Sequence, residues 1–161
     1  MSEKKKLGQF YTTNYTYILQ NLYIPEKYDN IVEPFAGNGD LLNFVDKKSK
    51  IIECYDIDPK QKHITQRDTL INPPNYNNKF VLTNPPYLAR NKSKDKCIYD
   101  KFKQNDLYKC FLKTLIKSGC IGGILIIPLN FWCSIRNNDV QLRQDFLDKY
   151  NIIFINIFEE S

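Results

Sequence analysis

The stretch "VEPFAGNGDLL", residues 32–42, runs from strand-forming residues through two glycines into an acidic residue and a pair of leucines. Gly37 and Gly39 stand where a strand hands over to a helix. Glycine there lets the backbone turn tightly and bring a helix N-terminus close to a ligand. Leu42 occupies the place where the dinucleotide fingerprint GxGxxG takes Gly or Ala, and this counts against a dinucleotide ligand. Asp40 is read as the start of the helix that follows.

Outward from this turn the chain alternates. Apolar runs at 30–36, 50–58, 79–84, 122–128 and 151–158 are rich in Ile and Val, as strands buried on both faces are. Between them, residues 15–23, 40–48, 106–119 and 139–150 carry apolar residues at helical spacing. In "DLYKCFLKTLIKSG" (106–119), Leu107, Phe111, Leu112, Leu115 and Ile116 share one face, Asp106 is placed to cap the start and Gly119 to close the end. The pattern predicts an α/β fold, a mostly parallel sheet flanked by helices, in a single domain over 1–161. A doubly wound sheet continues past its fifth strand, so the C-terminal edge is expected to be truncated and the strand "NIIFINIF" left as an open edge. Residues 89–106 read as one long basic loop.

The 161 residues suit one domain, and 42% hydrophobic with 25% charged residues is a globular mixture. A net charge of +5 and a pI near 8.8 permit a polyanionic partner without requiring one. The five cysteines form no CxxC pair and His63 is the single histidine, so no metal-ligand spacing is visible and reduced thiols are expected. No apolar run approaches the ~18–20 residues of a membrane span, and the charged start lacks an apolar core behind it. A cytoplasmic protein is expected, or one in a host cell's cytoplasm or nucleus if the gene is viral.

Chemistry is concentrated in three places. In "YDIDP", Asp56 ends the second strand where an acid accepts hydrogen bonds from ribose hydroxyls, while Asp58 before Pro59 reads as a helix cap. In "RDTL", Asp68 is placed to accept from an exocyclic adenine amine, with Ile57 and Leu70 walling the ring. In "TNPPY" (83–87), Pro85 and Pro86 stiffen the chain, and the Asn84 and Pro85 carbonyls converge on one incoming –NH2 group, with Tyr87 stacking on the attached ring. Two such acceptors favour a pyramidal nitrogen whose lone pair faces an electrophile, so no strong base is needed. Reaching this amine in a duplex requires flipping the base out, at a cost of a few kcal/mol.

In this order the motifs resemble the N6-adenine-specific DNA methyltransferases that use S-adenosylmethionine. "GQFYT" (8–12), "VEPFAGNGD", "YDIDP", "RDTL" and "TNPPY" are all similar to motifs of that family. The resemblance implies a Rossmann-like methyltransferase fold, with cofactor contacts from Thr12, Glu33, Gly37, Asp56, Ile57, Asp68 and Asn84. Catalysis falls to Asn84, Pro85, Pro86 and Tyr87, and no metal is implied. It also implies a duplex DNA partner, often within a restriction–modification system. Two departures are Thr13, where relatives often carry Pro, and the lack of a target-recognition region.

That lack admits a second reading, a cofactor-binding subunit or remnant completed by a partner chain or a dimer. The same –NH2 chemistry also fits RNA adenine or a protein glutamine amide. The segment from Arg90 to Lys103 carries six Lys or Arg with Tyr99 and Phe102 interleaved, and is placed to track phosphates near a flipped base. Trp132 reads as packing, and Cys110 and Cys120 as small buried hydrophobes.

Overall fold

Every residue of Phe80–Thr83 is buried, and the computed structural model, which describes residues 12–158, is layered around that strand. Five strands, β1 (Asn30–Glu33), β2 (Ile51–Asp56), β3 (Thr65–Gln66), β4 (Phe80–Thr83) and β5 (Gly122–Leu125), run parallel in the order β3-β2-β1-β4-β5. Side chains alternate across the sheet. Val32 and Val81 point to one face and pack with Phe111 and Leu115. Ile31, Phe80 and Leu82 point to the other and pack with Ile18, Leu19, Leu41 and Val45. Covering both faces is what an all-parallel sheet requires, and it explains why the central strands read as unbroken apolar runs.

The helices are α1 (Tyr15–Ile18), α2 (Cys97–Phe102), α3 (Leu107–Lys117), α4 (Asn130–Cys133) and α5 (Asn137–Lys149). Helix α3 buries Phe111, Leu112 and Leu115 as its spacing predicts. Helix α5 packs on α3 through Leu142 and Phe146. A buried ion pair, Lys109 Nζ to Asp139 at 2.6 Å, pins the two together, and the Ser134 hydroxyl donates to the second Asp139 oxygen at 2.6 Å. Such a pair holds register well, because removing either partner leaves an uncompensated buried charge.

Several expectations are corrected. Residues 151–158 form no strand; they are irregular, with Ile153 94% exposed, and are tied by the Asn156 side-chain amide, which donates to the Ile18 and Gln20 carbonyls. The outer strand of the described sheet on that side is therefore β5. The helix expected over 15–23 is the four-residue α1, and that over 40–48 is a 3-10 turn, Asp40–Phe44. The loop 89–106 is instead a closed excursion: Ala89 and Asp106 bridge at its base, and it carries a 3-10 turn (Arg90–Lys92) and α2. Gly119 is needed for close approach, since a Cβ there would stand 2.3 Å from the Asn77 side-chain oxygen. All five cysteines are unpaired, and Cys110 and Cys120 are buried as expected. Among the described residues no helix is long and apolar enough to cross a membrane.

Candidate active site at the carboxyl ends of the strands

The chain leaves β1 for β2 on one side of the sheet, and β4 joins β1 on the other. Strand order thus reverses at β1, and the crevice beyond the carboxyl ends of β1 and β4 is where open α/β sheets bind ligands. A cleft of about 440 Å³ lies there.

The glycine turn forms its floor. Gly37 and Gly39 have φ of 55° and 84°, a region other residues enter only with strain. The turn is stitched to β2: Ala36 N donates to the Tyr55 carbonyl at 2.8 Å, and Gly37 N donates to Asp56 Oδ2 at 2.8 Å. Asp56 is buried, and its Oδ1 accepts from Asp58 N at 2.8 Å. Asp58 caps no helix; its exposed carboxylate pairs with Lys60. Asp68 organises its own turn, with Oδ1 accepting from Leu70 N and Ile71 N at 3.1 Å each, and lies on the cleft wall.

At the other side of β1 stands the NPPY loop. The Asn84 amide is fixed at both ends: Nδ2 donates to Thr12 Oγ1 at 2.9 Å, and Oδ1 lies 2.5 Å from the Tyr87 hydroxyl. That hydroxyl is also 2.5 Å from the Ile126 carbonyl. With one proton, it donates to only one of the two at a time. The Tyr87 ring meets Tyr108 edge to face, centroids 5.9 Å apart, and burial holds its phenol well above the ordinary range, hence neutral. Beneath the loop, fully buried Glu33 accepts from Thr83 Oγ1 at 2.5 Å and Phe35 N at 3.3 Å, while its Oε2 has no hydrogen-bond partner. Burial pushes this carboxyl up to about 8; the Thr83 and Phe35 bonds pull the other way, and the charge of Asp56 adds slightly to the rise.

Of the residues expected to form the site, Thr12, Gly37, Asp56, Ile57 and Asp68 line the cleft, as do Asn84 and Pro86. Glu33 and Pro85 are buried and do not line it, and Tyr87, half-buried, does not line it either. Residues Gly8 to Tyr11 of the N-terminal motif lie outside the described residues. The sequence reading did not assign Asp40, Ile98 or Lys101 to the cleft, yet all three line it. For Ile98 the available signal was the apolar spacing with Tyr99 and Phe102, which marks α2 as a packed element. Tyr99 is 1% exposed and its hydroxyl donates to the Leu88 carbonyl at 3.0 Å, so it is core and cannot meet nucleic acid. Arg90, itself exposed, is paired with Asp100 and Lys96 donates to backbone carbonyls, which leaves Lys92, Lys94, Lys101 and Lys103 as the exposed cations of the excursion outside an ion pair among the described residues. Trp132 packs on Phe131, centroids 5.0 Å apart.

The charge of the cleft opposes that of the chain. Asp40, Asp56, Asp68 and Asp95 line it against Arg67 and Lys101. Arg67 is occupied by the Asn72 and Pro73 carbonyls and the Asn72 side-chain oxygen. His63 lines a separate depression with Lys47 and Lys50, so the cleft has no imidazole to act as a base. Among the described residues no group of three or more His, Cys, Asp or Glu is placed to hold a metal.

No curated protein gives a match. The family model described as Eco57I restriction-modification methylase matches residues 12–161, a span that takes in the glycine turn, Asp56, Asp68 and the NPPY loop, and the chain belongs to that family.

Proposed function

We propose that this chain transfers a methyl group from S-adenosylmethionine to N6 of adenine in DNA. The observation that carries the reading is the Asn84 side chain, clamped between Thr12 and Tyr87 on the wall of the cleft. A donor that bears positive charge and an adenosine fits this cleft. Its wall is acidic and a buried oxygen of the Asp40 carboxylate lacks a partner; in this reading Asp56 accepts from the ribose, Asp68 from the adenine amine, and Ile57 and Leu70 flank the ring. Thr12, Gly37, Asp56, Ile57, Asp68 and Asn84 hold the donor in this reading, and Glu33 supports them from beneath the cleft wall through Thr83 and Phe35. When bound, S-adenosylmethionine supplies an electrophilic methyl group.

Asn84 Oδ1 and the Pro85 carbonyl accept the two N–H bonds of the target amine, and this localises the nitrogen lone pair. Pro86 keeps the loop extended so that both oxygens stay aimed. Tyr87 gives up its bond to Asn84 as the amine arrives, keeps the Ile126 carbonyl as acceptor, and offers its ring to the base. The proton lost from nitrogen leaves to water, in keeping with a cleft that has no imidazole. Lys92, Lys94, Lys101 and Lys103 are the candidates for phosphate contact.

Transfer of labelled methyl from S-adenosylmethionine to unmethylated duplex DNA tests this, with total RNA and a protein extract as parallel acceptors. Label on DNA adenine is expected, falling by at least about 10²–10³-fold in Asn84→Ala while cofactor affinity changes little. Label on RNA or protein instead would refute the acceptor. A second reading, a chain completed by a partner or a second copy, is favoured by the exposed apolar residues Ile153, Phe154, Ile155 and Ile157. It predicts no transfer by the monomer despite cofactor binding.

A further inference from the structure

Asp40 is the first residue of the 3-10 turn Asp40–Phe44 and follows Gly39, whose φ of 84° swings the chain into that turn. Its side chain lines the cleft, and its Oδ2 is buried without a hydrogen-bond partner. Among the described residues it forms no ion pair. A carboxylate oxygen withdrawn from water and left unbonded is costly unless a ligand supplies the missing donor.

Strand order fixes which part of a ligand it would meet. Reading across the carboxyl ends, Asp68 follows β3, Asp56 ends β2, Asp40 follows β1 and Asn84 follows β4. The first two stand on the nucleoside side of the proposed site. Asp40 follows the strand that neighbours the one leading to Asn84, and α1, which begins just after Thr12, packs against the Asp40 turn. Of the other carboxyls at this end, Glu33 lies beneath the cleft wall and gives it no surface, and Asp95, on the excursion after β4, already accepts from Cys97 N at 2.8 Å.

Resting on the methyl-donor reading above, we infer that Asp40 is the counter-ion of the α-ammonium group in the amino-acid part of S-adenosylmethionine. The carboxylate accepts a charge-assisted hydrogen bond from the ammonium, and it anchors the end of the donor farthest from adenine. Asp40 is a binding residue here and takes no part in proton transfer.

The test compares two ligands that share the adenosyl thioether and differ in the amino-acid tail. S-adenosylhomocysteine carries the ammonium; 5′-methylthioadenosine does not. Calorimetric titration of the full chain and of Asp40→Asn is expected to show S-adenosylhomocysteine weakened about 10–100-fold, as for loss of a hydrogen bond to a charged group, and 5′-methylthioadenosine unchanged within about twofold. Equal weakening of both ligands would mean that the substitution only damages the turn, and no weakening of either would mean that Asp40 does not touch the tail; each overturns the inference. Asp40→Ser, read the same way, serves if the Asn variant does not fold. If the wild-type chain binds neither ligand, the donor reading fails first and takes this assignment with it.

Discussion

Two apolar stretches of the chain, "FVLT" at 80–83 and "NIIFINIF" at 151–158, have similar strand propensity and different fates. The first is wholly buried between β1 and β5. The second forms no strand, with Ile153 and Ile157 94% and 73% exposed. Propensity for the strand is therefore not what separates them; β4 has a hydrogen-bonded neighbour on each edge and a helix layer on each face. A segment without those remains a loop of apolar residues.

The contrast is sharpest at Glu33, the carboxyl that the enclosed centre forces to stay neutral. Its folded pKa of about 8 lies above the ordinary 4.5. The stabilisation of the neutral form is thus fully present below about pH 4.5 and is lost as pH rises through about 8. Over that window Glu33 should lower stability by roughly 1.4 kcal/mol per pH unit. Urea unfolding at several pH values should show this slope in the wild type and its loss in Glu33→Gln; parallel curves would refute it. Next in size, Leu82→Ala removes a side chain with no exposure and should cost about 2–5 kcal/mol by thermal or urea unfolding. The smallest effect belongs to the tail. Ile153→Ser should stay within about 0.5 kcal/mol, and a cost like that of Leu82→Ala would mean that residue 153 is covered in solution.

The sequence made the central strands and α3 legible because each apolar run there is bounded by turn residues and matched by partners of the right period. It could not announce β3, whose two residues are too short to carry a pattern. The overextended reading of 40–48 has a simple cause. Leu41, Leu42 and Val45 are spaced for a helix, but the chain leaves the 3-10 turn at Val45, whose backbone is extended. In the site, the glycine pair and the acids at strand ends were legible since each is dictated by local backbone geometry. The orientation of Tyr87 and the burial of Tyr99 were not, because each depends on a residue distant in sequence, Ile126 and Leu88 respectively.

The hydroxyl of Tyr87, with one proton between two oxygens, has a consequence for selectivity. In the resting protein Asn84 already holds a donor, so in the proposed reaction an arriving base trades one hydrogen bond for another and gains little from that contact alone. A base with an amino group completes the trade. Thymine presents a carbonyl oxygen in place of the amino group, and evicting the hydroxyl would set that oxygen against the Asn84 oxygen, acceptor against acceptor. On this view the tyrosine acts as a placeholder, and discrimination lies in what a wrong base takes away more than in what the right one adds.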